Sequence, residues 1–154
     1  MPLNQDFAEL IHHLNTANAK YLVIGAYAVM IYTFPRYTKD IDFLIEPTSE
    51  NAEKVYEALK VFGAPLETVS AEDLKKSDMV LQIGVEPNRI DIITSIEGAR
   101  FEELWKNKKE ERYGEEPIYI PSLEDLVQIK KLAGRPGDLK DIEILSKAAK
   151  FKKS

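Results

Sequence analysis

Asp40 and Asp42 stand two residues apart in Arg36-Tyr37-Thr38-Lys39-Asp40-Ile41-Asp42-Phe43-Leu44-Ile45, and Asp91 stands in Arg89-Ile90-Asp91-Ile92-Ile93. Both segments read as strands, because polar and apolar residues alternate and the apolar ones are mostly β-branched or aromatic. Residues i and i+2 of a strand share a face. Asp40 and Asp42 therefore point together, opposite Ile41, Phe43 and Ile45, and Asp91 opposes Ile90 and Ile92. If the two strands are sheet neighbours with aligned apolar faces, three carboxylates converge. Such a cluster repels itself without cations, so it is a candidate site for hard, oxygen-preferring ions such as Mg²⁺. Taken alone, Asp-x-Asp on a strand also fits two polar positions facing solvent. The apolar run Phe43-Leu44-Ile45 argues for a mostly buried strand, where carboxylates are costly unless paired or metal-bound.

The elements that must position these residues follow from pattern. Phe7, Leu10, Ile11 and Leu14 give a helical period over 6–18, with Asn4 or Asp6 as its cap. Tyr21-Leu22-Val23-Ile24 is a short buried strand, and Gly25 turns it into a helix over 26–32. A strand that ends in glycine and enters a helix directly leaves free N–H groups at the helix start. With the helix dipole they suit a phosphate. Strand 40–45 follows a break at Phe34-Pro35-Arg36. Thr48 or Ser49 caps a helix to about Phe62. Residues 63–78 read as a loop with a short helix at 71–75. Segments 79–85 and 89–94 form a hairpin, 99–107 a helix, 110–116 a charged loop and 118–120 a last strand. Ser122 opens a helix to about Leu132 in a capping-box pattern with Asp125. Gly134-Arg135-Pro136-Gly137 is a turn, and 138–150 is a terminal helix. Leu126, Ile129, Leu132, Leu139, Ile142 and Leu145 supply the apolar faces of this helical hairpin. The order predicts an α+β fold, a mixed sheet with flanking helices. A single domain is expected over 1–154, with 122–150 as a C-terminal helical extension.

Composition narrows the classes. With 154 residues, 44% of them hydrophobic and 31% charged, the chain has enough material for one domain with a proper core. It has no cysteine, which removes disulfides and thiolate chemistry. No secretory signal or membrane-length apolar run is visible, and a cytoplasmic location is the expectation. The net charge of −5 argues against broad nucleic-acid binding. The lysines and arginine at 106–112 and the lysines at 147–153 read as solvated helix faces.

Four segments in order carry a family resemblance: Gly25-Ala26 after a strand, Arg36 through Asp42, Asp91 on a later strand, and Lys130 through Asp141 around Gly134-Arg135-Pro136. Together, over residues 20–146, they resemble the nucleotidyltransferase superfamily with the polymerase-β-like fold, and within it the small AbiEii-like proteins. The resemblance implies metal-dependent transfer of a nucleoside monophosphate from a nucleoside triphosphate to a hydroxyl acceptor. The acceptor could be a protein, an RNA end or a small molecule. It also implies two Mg²⁺ ions, with Mn²⁺ as a substitute, held by Asp40, Asp42 and Asp91, which are the expected catalytic residues. Gly25, Ala26, Arg36 and Lys130 are the expected nucleotide-binding residues, while Arg135, Asp138 and Asp141 are expected to be mainly structural. A toxin–antitoxin role with a cognate antitoxin as partner follows from the AbiEii-like likeness, and a homodimer that completes the acceptor cleft is compatible with a chain this short. Two other classes fit the same residues: a non-catalytic nucleotide- or partner-binding module, and a two-metal phosphohydrolase or nuclease. The chain departs from relatives in having Ala26 where a serine or glycine is usual, and Gly137 where lysine is common.

Overall fold

The computed structural model describes residues 3–34, 38–85 and 87–153, with the side chains of 149–153 outside the description. Arg36, one of the expected nucleotide-binding residues, lies outside the described residues. The helices are α1 (Gln5–Thr16), α2 (Gly25–Tyr32), α3 (Ser49–Phe62), α4 (Phe101–Lys106), α5 (Leu123–Ala133) and α6 (Pro136–Lys153). The strands are β1 (Tyr21–Ile24), β2 (Asp40–Ile45), β3 (Val80–Ile83), β4 (Arg89–Ile93), β5 (Lys109–Tyr113) and β6 (Glu116–Ile120). The short helix expected at 71–75 is a 3₁₀ turn over Ala71–Lys75.

Local chemistry sets the helix ends. The Asn4 side chain accepts from the Asp6 and Phe7 N–H groups, Thr48 from that of Asn51, and Ser122 from that of Asp125. The second half of the expected capping box at α5 is replaced, because the Asp125 carboxylate accepts from the Asn107 amide. Helices α3 and α5 end on Gly63 and Gly134 in the left-handed conformation, where a side chain would be strained.

Strand order in the main sheet is β1-β2-β4-β3. β1 and β2 run antiparallel, β2 and β4 parallel, and β3 and β4 antiparallel, which makes the sheet mixed. The parallel pair is reached through α3 and the returning strand β3. Ile41, Phe43, Ile45, Ile90 and Ile92 face one side and pack with α1 and α3 in the principal core. Leu22, Ile24 and Leu44 face the other side and pack against Leu104 of α4 and Ile129 of α5. Ala28 and Val29 of α2 meet Leu126 of α5 and Leu145 of α6. The second face is thus covered at one end by helices, leaving Asp40, Asp42 and Asp91 at the other. Asn51 is buried and ties α3 to the sheet end, donating to the Lys20 and Glu46 carbonyls and accepting from the Lys20 N–H.

The expectation for the segment before the last strand fails. Residues 110–116 are not a charged loop: Lys109–Tyr113 is strand β5, paired antiparallel with β6. Four of its five residues are charged and exposed, so no apolar alternation betrays the strand, and the backbone ladder supplies the pairing. Its one buried residue, Tyr113, packs beside Tyr27 and accepts a hydrogen bond from the Asn4 N–H.

Candidate active site

The parallel register places Asp42 opposite Asp91 and Asp40 opposite Arg89. Ligand oxygens of Asp40, Asp42 and Asp91 all lie within 4.8 Å of one another. The convergence expected from strand parity is therefore present. Its electrostatic cost is visible at Asp42, whose carboxyl is pushed up to about 7, by burial first and then by the Asp40 charge and the neighbouring Asp91. Asp91 Oδ1 is buried and accepts no hydrogen bond from the described residues. An oxygen left in that state is expensive unless a proton or a cation satisfies it.

Ile24 of β1 pairs with Asp42, so Gly25 stands directly beyond the carboxylate pair. Its φ is +72°, in the left-handed region, and a Cβ built there would run into Asp42 Oδ2. Glycine is thus required twice, once by backbone and once by the approach to Asp42. No side chain caps α2, which leaves the amides of its first turn for a ligand. Gly25→Ala is expected to cost about 2–4 kcal/mol, from strain together with displacement of Asp42. Thermal melts of the variant check this, and a melting temperature equal to wild type would contradict the close packing described.

Gly25, Ala26, Asp40, Asp42, Asp91 and Lys130 all line one cavity of about 670 Å³. A smaller cavity of about 330 Å³ adjoins it, sharing Gly25, Asp42 and Lys130, with Ile24, Ile96, Ile129 and Leu132 among its walls. Leu132 and Leu139, expected as core positions of the helical hairpin, are exposed.

Lys130 reaches the cavity as a buried residue. Its Nζ lies 3.2 Å from Asp138 Oδ1 and 3.2 Å from Asp141 Oδ2, both buried on α6. Among the described residues, two of its three N–H donors are thus engaged. Asp138 also accepts from the Arg135 backbone N–H and from Arg135 Nε at 2.7 Å. Burial opposes its ionisation, but the hydrogen bonds from Arg135 and Lys130 outweigh that and hold it below the usual carboxylate value. Asp138, the third residue of α6, therefore reaches back to the N–H of Arg135 just before the helix. The pair that crosses the helical hairpin is made by Lys130, whereas Arg135 pairs three residues along its own segment.

Strand parity also brings Arg89 into the cavity, a residue that sequence reasoning passed over. Its Nη2 contacts Asp40 Oδ2 at 2.8 Å and Asp91 Oδ2 at 3.3 Å. Its position two residues before Asp91 was the available signal. Arg135 lines both cavities with a largely exposed side chain, and its pKa is raised by the Asp138 carboxylate first and by Asp42 to a lesser extent. Tyr27 is buried, and Trp105 packs between Phe101 and Tyr119 with Lys108 Nζ 4.3 Å from its ring centre.

Fold and carboxylate cluster together define a nucleotidyltransferase. The family model described as nucleotidyltransferase of unknown function (DUF6036) matches residues 1–149, and the chain belongs to that family. Among solved structures, the chain is similar to the lincomycin-bound lincosamide antibiotic adenylyltransferase LnuA. The TM-score is 0.60 at 16% identity, over 95% of this chain and 98% of that one. At that identity the likeness is one of fold. No curated protein matches the chain. Among the described residues, no helix is long and apolar enough to cross a membrane.

The carboxylates fit the metal that this fold family implies. The donors are three hard oxygen groups within reach of one ion, one of their oxygens is buried without a donor, and the neighbouring glycine leaves the space open.

Proposed function

We propose that the chain transfers a nucleoside monophosphate from a nucleoside triphosphate to a hydroxyl acceptor. The carrying observation is the convergence of Asp40, Asp42 and Asp91 beside the uncapped start of α2. Asp40 and Asp42 would hold two Mg²⁺ ions, with Asp91 completing the acceptor-side one. Bound there, the ions would acidify the attacking hydroxyl and stabilise the departing pyrophosphate. The first-turn amides at Gly25 and Ala26 receive the β- and γ-phosphates, and Ala26 costs the hydroxyl contact of a serine but not the backbone donors. Arg36 offsets triphosphate charge, and Lys130, whose own charge is matched by Asp138 and Asp141, contributes an N–H donor.

The acceptor oxygen bonds to the α-phosphorus as the α–β anhydride breaks, and pyrophosphate leaves with the bonding pair. The acceptor proton passes to Asp91, whose Oδ1 has no hydrogen-bond donor among the described residues. The fold relative is an adenylyltransferase, which supports ATP as the first donor to test, and its bound lincomycin makes a small organic hydroxyl the first acceptor class. The AbiEii-like resemblance adds a toxin with a cognate antitoxin as a biological setting. Incubation with α-labelled ATP and Mg²⁺ tests the chemistry. Pyrophosphate release with label retained on an acceptor supports transfer, whereas release of free labelled monophosphate alone would mean hydrolysis.

A further inference from the structure

Among the described residues, a cation of the protein itself already lies against the carboxylates. Arg89 opens β4 two residues before Asp91 and faces Asp40 across the parallel ladder. A single nitrogen, Nη2, lies between two of the three carboxylates, 2.8 Å from Asp40 Oδ2 and 3.3 Å from Asp91 Oδ2. A divalent ion bridging Asp40 and Asp91 needs the lone pairs and the space that this nitrogen holds. Ion and guanidinium are therefore alternatives at that position.

We propose that Arg89 is a resident counter-cation that closes the carboxylate cluster in the metal-free protein and has to leave before a divalent ion can bridge Asp40 and Asp91. This rests on the metal-binding reading of those carboxylates. The guanidinium suits the first task. It is permanently charged, and a planar fork can meet two carboxylates at once. It fits the cluster incompletely, because Asp91 Oδ1 remains buried without a donor among the described residues. A spherical ion that accepts several oxygens can satisfy what the fork does not. The consequence is a threshold: the charge of Asp40 and Asp91 stays partly offset at low metal, and the cluster loads only when the ion outcompetes the arginine.

The test is an electron-paramagnetic-resonance titration with Mn²⁺ alone, comparing wild type, Arg89→Gln, Arg89→Lys and the Asp40→Asn/Asp42→Asn double variant. Glutamine keeps an N–H donor on a stem two bonds shorter and removes the charge. Arg89→Gln is expected to bind Mn²⁺ at least about tenfold more tightly than wild type, since a like charge a few ångströms away is gone. Arg89→Lys should fall between them, and the double variant should not bind. Equal or weaker binding by Arg89→Gln would overturn the proposal and leave Arg89 as a support for the carboxylates. Absence of Mn²⁺ binding by every protein would overturn the metal reading and the displacement with it. If Arg89→Gln does not fold, wild type labelled with ¹⁵N-arginine answers the question. The Arg89 Nε–H signal, assigned by its loss in Arg89→Lys, should move as Mg²⁺ is added, and a static signal during metal binding would overturn the proposal.

Discussion

Asp42→Asn is expected to lower nucleotidyl transfer by on the order of a thousandfold or more while making the metal-free protein more stable. The two effects share one cause. Asp42 sits at the centre of the cluster, opposite Asp91 in the ladder and two residues from Asp40, where an ion would draw most on its charge. Without an ion that charge is a burden. Burial and the neighbouring carboxylates raise its pKa from 3.8 to about 7, which corresponds to about 4 kcal/mol at full ionisation. Between those two values the folded state holds a proton that the unfolded state has released. The stability of the metal-free protein should therefore fall as pH rises from about 4 to about 7, and stay low above that. Asp42→Asn removes this dependence. At pH 8 it should melt roughly 5–15 °C above wild type, and the two curves should converge below pH 4. Melts across pH, with and without Mg²⁺ and ATP, check both halves. A variant that melts lower and still responds to Mg²⁺ with nucleotide would contradict the convergent-carboxylate account.

Lys130→Met carries the largest expected loss of stability, about 3–5 kcal/mol. Lys130 Nζ is the buried bridge between α5 and the Asp138/Asp141 face of α6. The substitution keeps the bulk of the stem and removes the charge, so two buried carboxylates lose a partner together. Asp138 keeps Arg135, whose side chain is largely exposed and screened by water, so it compensates only in part. Denaturant unfolding measures the effect. A loss under 1 kcal/mol would mean that the helical pair does not depend on this bridge. Combining Lys130→Met with Asp138→Asn and Asp141→Asn should recover part of the loss, because the two buried charges that Lys130 compensated are removed with it.

The parts legible from sequence are those in which side-chain pattern and backbone demand coincide. In β2, Ile41, Phe43 and Ile45 had to be buried, which fixed where Asp40 and Asp42 point. Asn4, Thr48 and Ser122 announced helix starts because their side chains do the capping. Strand β5 was hidden because Lys109 through Arg112 pair through backbone alone. Arg89 was overlooked although the parity rule that placed Asp91 on the cluster face places Arg89 there too. Lys130 was read as a free cation facing phosphate, but what surrounds it depends on how α5 folds back along α6, and only the tertiary arrangement brings Asp138 and Asp141 onto its Nζ. Arg135 shows the reverse. Its partner Asp138 was within reach of local reasoning, whereas its exposure at the junction of two cavities was not.

The central claim is that three carboxylates and the start of α2 form a metal-dependent triphosphate site. Calorimetric titration of ATP, GTP, CTP and UTP in Mg²⁺, with wild type and the Asp40→Ala/Asp42→Ala double variant, tests it most directly. The account predicts saturable binding of at least one triphosphate that requires Mg²⁺ and is lost in the double variant. Binding that persists in the double variant, or that is indifferent to Mg²⁺, would contradict it.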